Sequence, residues 1–86
     1  MSKKAVALAW TVDLCSPVII ASGKDALAER MLEIAREYGI KTVSDPILTV
    51  LLAESSVGSY IPPEAWNSVA AVFAFLDEGI KKRWFM

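Results

Sequence analysis

The sequence predicts a small α/β domain, bordering on α+β: a mixed sheet of about three strands carrying three helices, in the order β-β-α-β-α-α. Three observations lead there. Residues 5–12 alternate small and bulky apolar side chains with period two. Residues 22–38 repeat apolar positions every three or four residues and stop at a Gly. The four Pro fall at segment boundaries, and 86 residues leave room for one core.

In residues 5–12, Val6, Leu8, Trp10 and Val12 alternate with Ala5, Ala7, Ala9 and Thr11. One face is bulky, and the other is small enough for a helix to lie close. Residues 13–17 read as a turn. The run Val18-Ile19-Ile20-Ala21 predicts a second strand buried on both faces. Ser22 is placed to cap a helix, with Asp25 three residues on as its capping-box partner. Leu27, Ala28, Met31, Ile34, Ala35 and Tyr38 then share one helical face, and Gly39 supplies a left-handed stop.

Residues 40–44 predict a short strand that completes a β-helix-β unit. Ser44 or Asp45 caps the second helix, with Pro46 at its first position, where no donor is lost. Leu48, Leu51 and Leu52 form its apolar face. After the loop 55–59, Ile61-Pro62-Pro63-Glu64 leads rigidly into a third helix. Its stripe takes in Trp66, Val69, Val72, Phe73, Leu76 and Ile80. Residues 1–80 thus read as one domain and 81–86 as a basic-aromatic tail.

Composition removes whole classes of function. One Cys forms no internal disulfide, and without His the ordinary zinc sites and His-activated nucleophiles are excluded. No cofactor or metal is expected. Nine basic and ten acidic residues set up no field for nucleic acid. The longest uninterrupted apolar run, 69–76, falls far short of the ~20 residues a spanning helix needs. Lys3-Lys4 before an apolar run, with Leu14-Cys15 beyond, looks like an export signal, but Asp13 interrupts it and no small-residue site precedes Cys15. Cytoplasmic residence is the expectation. The apolar share is 55 %, above the ~45–50 % norm. Twelve Ala account for much of that surplus.

Three ordered landmarks carry a resemblance: Ala5-Val6-Ala7-Leu8, then Ser16-Pro17-Val18-Ile19-Ile20-Ala21-Ser22-Gly23, then Ile61-Pro62-Pro63-Glu64-Ala65-Trp66 leading into 68–75. Asp45-Pro46-Ile47-Leu48 and Val57-Gly58 lie between them. Over roughly residues 5–78 the chain resembles the C-terminal cytoplasmic domain of the FlhB family, the export-switch proteins of flagellar and type III secretion systems. No single motif is specific; their order and spacing are.

The departures narrow what the resemblance implies. Longer members carry membrane helices upstream and Asn-Pro-Thr-His before the first strand, where they cleave themselves between Asn and Pro. Met1-Ser2-Lys3-Lys4 stands in that place here. The chain therefore looks like a stand-alone FlhB-like form that lacks the self-cleavage motif. The basic residue that longer members often carry in the second helix is Val50 here, the Lys usual before the helix-entry Gly is Ser22, and the Pro usual after Ile40 is Lys41.

The resemblance implies a non-enzymatic interaction domain of the export apparatus, taking part in substrate recognition or switching. Its implied partners are export-apparatus proteins, the membrane part of a full-length FlhB-type protein among them. The candidate partner-binding residues are Val6, Leu8, Trp10, Asp45, Pro46, Gly58, Ile61, Pro62, Phe75, Trp84 and Phe85. Longer members supply a further strand ahead of the first one, so the edge at residues 5–12 is expected to stand open, inviting a homodimer or a partner strand. Phe75, at the margin of the third helix's stripe, reads either as contact surface or as edge of the core. Lys81-Lys82-Arg83-Trp84-Phe85-Met86 reads as a frayed terminus or as a weak hook for anionic lipid at the inner face of the membrane. Cys15 reads as an ordinary turn or core residue, and Ser22-Gly23-Lys24 as a cap, because the Gly spacing of a phosphate loop is absent. The alternative is a generic α/β adaptor unrelated to secretion that shares only the element order.

Overall fold

Among the described residues, four strands, β1 (Lys4–Trp10), β2 (Val18–Lys24), β3 (Thr42–Val43) and β4 (Lys81–Phe85), make one sheet in the order β2-β1-β4-β3. The structure, a computed structural model, describes residues 3–10, 16–76 and 81–85, the side chains of 10, 74–76 and 81–85 excepted. The sheet is mixed: β1 runs antiparallel to both β2 and β4, and β3 runs parallel to β4. The described residues also form three helices, α1 (Ala26–Glu37), α2 (Pro46–Ala53) and α3 (Trp66–Leu76), with a 3-10 turn at Pro63–Ala65 leading into α3. The element order is the expected one, with a C-terminal strand added.

That strand changes the expected topology. Residues 81–85 do not extend from the domain as a tail; they pair with β1 from Val6↔Phe85 to Trp10↔Lys81. The edge of β1 that was expected to stand open is filled, and the expected homodimer through the first strand has no edge to form on. β2 and β3 still run parallel, but β1 and β4 lie between them, so α1 spans two strands instead of none.

The alternation along β1 sorts the core into two layers. Ala5 and Ala7 meet Ala28, Met31, Leu32 and Ala35 of α1. Val6 and Leu8 join Ile19, Leu48, Leu52, Ile61, Ala65, Val69 and Phe73 on the opposite face. Small residues face one helix; bulky ones fill the wider space under α2 and α3.

β2 is an edge strand, not one buried on both faces. Its register to β1 slips between Ala7↔Ala21 and Leu8↔Ile19, so Ile20 is the extra residue of a bulge and is exposed. Ser22 belongs to β2 and caps nothing. α1 begins after Asp25, whose φ of 54° turns the chain sharply and whose side chain makes no cap bond to the helix. The carboxylate instead accepts the Lys3 backbone N–H at 3.2 Å. The buried face of α1 is Ala28, Met31, Leu32 and Ala35, rotated from the expected stripe, so Leu27 and Tyr38 are exposed.

The end of α1 follows the sequence closely. Gly39 takes φ 68°, its N–H donates to Arg36 O, and the Ile40 N–H donates to Ala35 O at 2.8 Å. These two bonds form a Schellman stop. α2 starts as expected: Pro46 is its first residue, and the Asp45 carboxylate accepts the Leu48 N–H at 3.1 Å. Thr49 Oγ1 donates to Asp45 O at 2.8 Å, which tightens the first turn and lets the hydroxyl be buried.

Candidate interaction surface

α2 organises the candidate surface, because it crosses the sheet from the β3 side toward β2. Asp45 and Pro46 stand at its start, beside the end of β3. At its far end the chain turns through residues 55–59 and returns along β2. There the Gly58 N–H donates to Ile19 O at 2.6 Å, the Ile19 N–H to Ser59 O at 2.9 Å and the Ile61 N–H to Pro17 O at 3.2 Å. Gly58 holds φ 92°, a conformation that a side chain would strain. Residues 58–61 thus act as a short strand laid on the outer edge of β2, with Val18↔Tyr60 as its bridge.

The expected site residues are therefore not gathered in one place. Val6, Leu8 and Ile61 are buried in the core beneath α2 and α3, where they offer no partner a surface. Asp45 and Pro46 lie at one end of α2, and Gly58 and the half-buried Pro62 lie near the other. An eight-residue helix separates the two groups by ~12 Å. The side chains of Trp10, Phe75, Trp84 and Phe85 lie outside the described residues, as does Cys15. Among the described residues no three metal-ligating side chains come together.

Sequence reasoning missed the exposed apolar residues that the fold leaves on this side. Ile47 is 84 % exposed, next to exposed Pro46, and Val50 lies one turn further along α2. Val57, Tyr60 and Trp66 are exposed beyond its other end. The signal for Ile47 and Val50 was present: they fall opposite Leu48 and Leu52 on the helical wheel. Trp66 was expected in the core, but Ala65 and Val69 take the inward positions of that segment. A 3-10 turn ends at Ala65, and its tighter pitch shifts the phase of the helix that follows.

Residues 2–76 match the FlhB HrpN YscU SpaS family, which covers most of the chain. This chain belongs to that family. The FlhB-type sequence is 32 % identical to YlqH of Bacillus subtilis, over 94 % of this chain and 91 % of that one. It is 38 % identical to the flagellar biosynthetic protein FlhB of Helicobacter pylori over 81 % of this chain, and 36 % identical to that of Aquifex aeolicus over 71 %. The chain spans only 20 % and 18 % of those two flagellar proteins. Among solved structures, the PscU C-terminal domain superposes with a TM-score of 0.81 at 28 % identity, covering 85 % of this chain and 95 % of that one. A mutated EscU C-terminal domain gives 0.83 at 26 %, covering 87 % and 93 %. The likeness thus extends over nearly the whole of the PscU and EscU C-terminal domains. An element order shared by accident does not produce a sequence match of this length, so the unrelated-adaptor alternative falls away.

Proposed function

We propose that the chain is a recognition domain of a flagellar or type III export apparatus, acting through surface contact and not through catalysis. One observation carries the reading: the chain corresponds to nearly all of an export-switch C-terminal domain, in sequence and in fold. It docks onto export-apparatus components, the membrane part of a full-length FlhB-type protein among them, and contributes to export-substrate recognition or switching. Exposed Pro46, Ile47 and Val50 supply apolar contact area, and Asp45 at their border fixes the local backbone. The domain works without self-cleavage, since these 86 residues contain neither an Asn-Pro dipeptide nor a His. It resides at the cytoplasmic face of the apparatus. No helix among the described residues is long and apolar enough to cross a membrane, which fits that placement.

The test is a pull-down with the membrane portion of a full-length FlhB-type protein from the same organism, paired with secretion measured after deletion. Retention that weakens on Ile47→Asp is expected. Failure to retain any export-apparatus component, together with normal secretion in the deletion strain, overturns the reading.

A further inference from the structure

The bulge at Ile20 divides the outer edge of β2 into two halves with different fates. On the Pro17–Ile19 side, residues 58–61 already cover the edge with three backbone hydrogen bonds. On the other side the register determines which groups face outward. The Asp25 N–H donates to Lys3 O at 2.6 Å, which makes Lys3/Asp25 a hydrogen-bonded pair. Pairs alternate along an antiparallel ladder. Lys4↔Lys24 and Val6↔Ser22 are then non-hydrogen-bonded pairs, and the N–H and C=O groups of Ser22 and Lys24 point away from β1. Among the described residues nothing bonds to these outward groups.

This open half is the floor of a groove of about 490 Å³, lined by Lys4, Ser22, Gly23, Lys24, Leu27, Ala53 and Glu54. One wall is Leu27 of α1, 56 % exposed; the other is the C-terminal end of α2. Lys4 and Lys24 form no ion pair among the described residues, nor does Glu54, so the groove carries a net positive charge. A strand added here would place alternate side chains on the two faces of the sheet. On the α2 side they would meet Lys24 and Lys4. On the α1 side they would meet Leu27, which packs directly over the bare Cα of Gly23.

We propose that the open half of the β2 edge binds an extended peptide segment of a partner protein, alternating acidic and apolar residues, by strand addition. The edge demonstrably accepts backbone pairing, since residues 58–61 occupy its other half. Charge selects the occupant. Two copies of this chain pairing through β2 would set the uncompensated Lys24 of one against the Lys-bearing edge of the other, which disfavours a homodimer and favours carboxylates. The proposal stands on the edge geometry and does not depend on the export reading.

The test uses the full chain and two capped peptides, one repeating Glu-Val and one repeating Lys-Val, with amide exchange followed by NMR. The Ser22 and Lys24 amides exchange freely in the peptide-free protein. With the Glu-Val peptide at ~tenfold above its Kd, they slow about tenfold, since only about one molecule in eleven stays free. Ser22→Pro removes one outward donor and leaves the β1 side of the ladder untouched, so it abolishes the protection at Lys24. Lys24→Glu, which keeps the backbone intact, reverses the preference toward the Lys-Val peptide. Glu54→Gln strengthens binding of the Glu-Val peptide. Protection that does not appear at millimolar peptide, that is equal for both peptides, or that follows protein concentration through dimerisation overturns the proposal.

Discussion

Gly23 lies directly against Met31: a Cβ built on the glycine would stand 2.6 Å from the Met31 sulfur and 2.8 Å from Leu27 Cγ. α1 therefore rests on β2 at a distance that only a bare Cα allows. Ala5 and Ala7 of β1, and Ala28 and Ala35 of α1, are small for the same reason. Gly23→Ala is expected to lower stability by about 1–3 kcal/mol, the usual cost of overpacking. Gly23→Val costs more. Urea unfolding with an unchanged m-value checks both.

The buried residues of β1 give a second expectation, because they separate core from surface. Leu8→Ala should destabilise by about 2–5 kcal/mol, since Leu8 is fully buried between Ile19 and the helices. Ile47→Asp, at an 84 % exposed position, should change stability by no more than about 0.5 kcal/mol. Thermal melts of the two variants side by side decide the assignment, and an equal loss in both contradicts it.

The cap of α2 is a side chain whose contribution can be isolated. Asp45→Ala removes the acceptor for the Leu48 N–H and should cost about 1 kcal/mol. Asp45→Asn keeps an acceptor oxygen there and should cost only a few tenths of that. The Thr49 hydroxyl bond to the Asp45 carbonyl survives either change. Chemical denaturation of the pair measures the difference.

Removing residues 81–86 should uncover β1. The register points the N–H and C=O groups of Val6 and Leu8 toward β4, where they face Phe85 and Arg83. In the truncated chain these amides should lose their exchange protection, and the exposed edge should drive self-association. Hydrogen exchange and size-exclusion chromatography read the two effects. A truncated monomer with Val6 and Leu8 still protected contradicts the sheet order.

Much of this fold was legible in the sequence where local chemistry decides. The two faces of β1, the Asp45-Pro46 start of α2 and the Gly39 stop all follow from short-range pattern, and all appear as read. What escaped was set by distant pairing. Nothing local to Lys81-Lys82-Arg83-Trp84-Phe85 says that it enters the sheet beside β1; a free strand edge 71 to 79 residues away does. Ser22 and Asp25 carry a capping-box spacing, yet the pairing of Ser22 with Val6 overrides it. The candidate surface suffered most. Val6 and Leu8 looked available only while β1 was taken as an edge, and Ile61 only while it was read as part of the loop leading into α3, whereas Ile47 and Val50 were exposed by the inward turn of Leu48 and Leu52.

Because β4 is the last strand made and β1 is the first, the middle of the sheet closes across nearly the full length of the chain. Long-range pairing of this kind slows folding. It also sets an order on it. During synthesis α1 and α2 can form while β1 has one neighbour only, and its second neighbour arrives with residues 81–85. Completion of the sheet thus waits on residues 81–85, and a nascent chain that has not yet reached them presents a reactive sheet margin to whatever chaperone or partner meets it first.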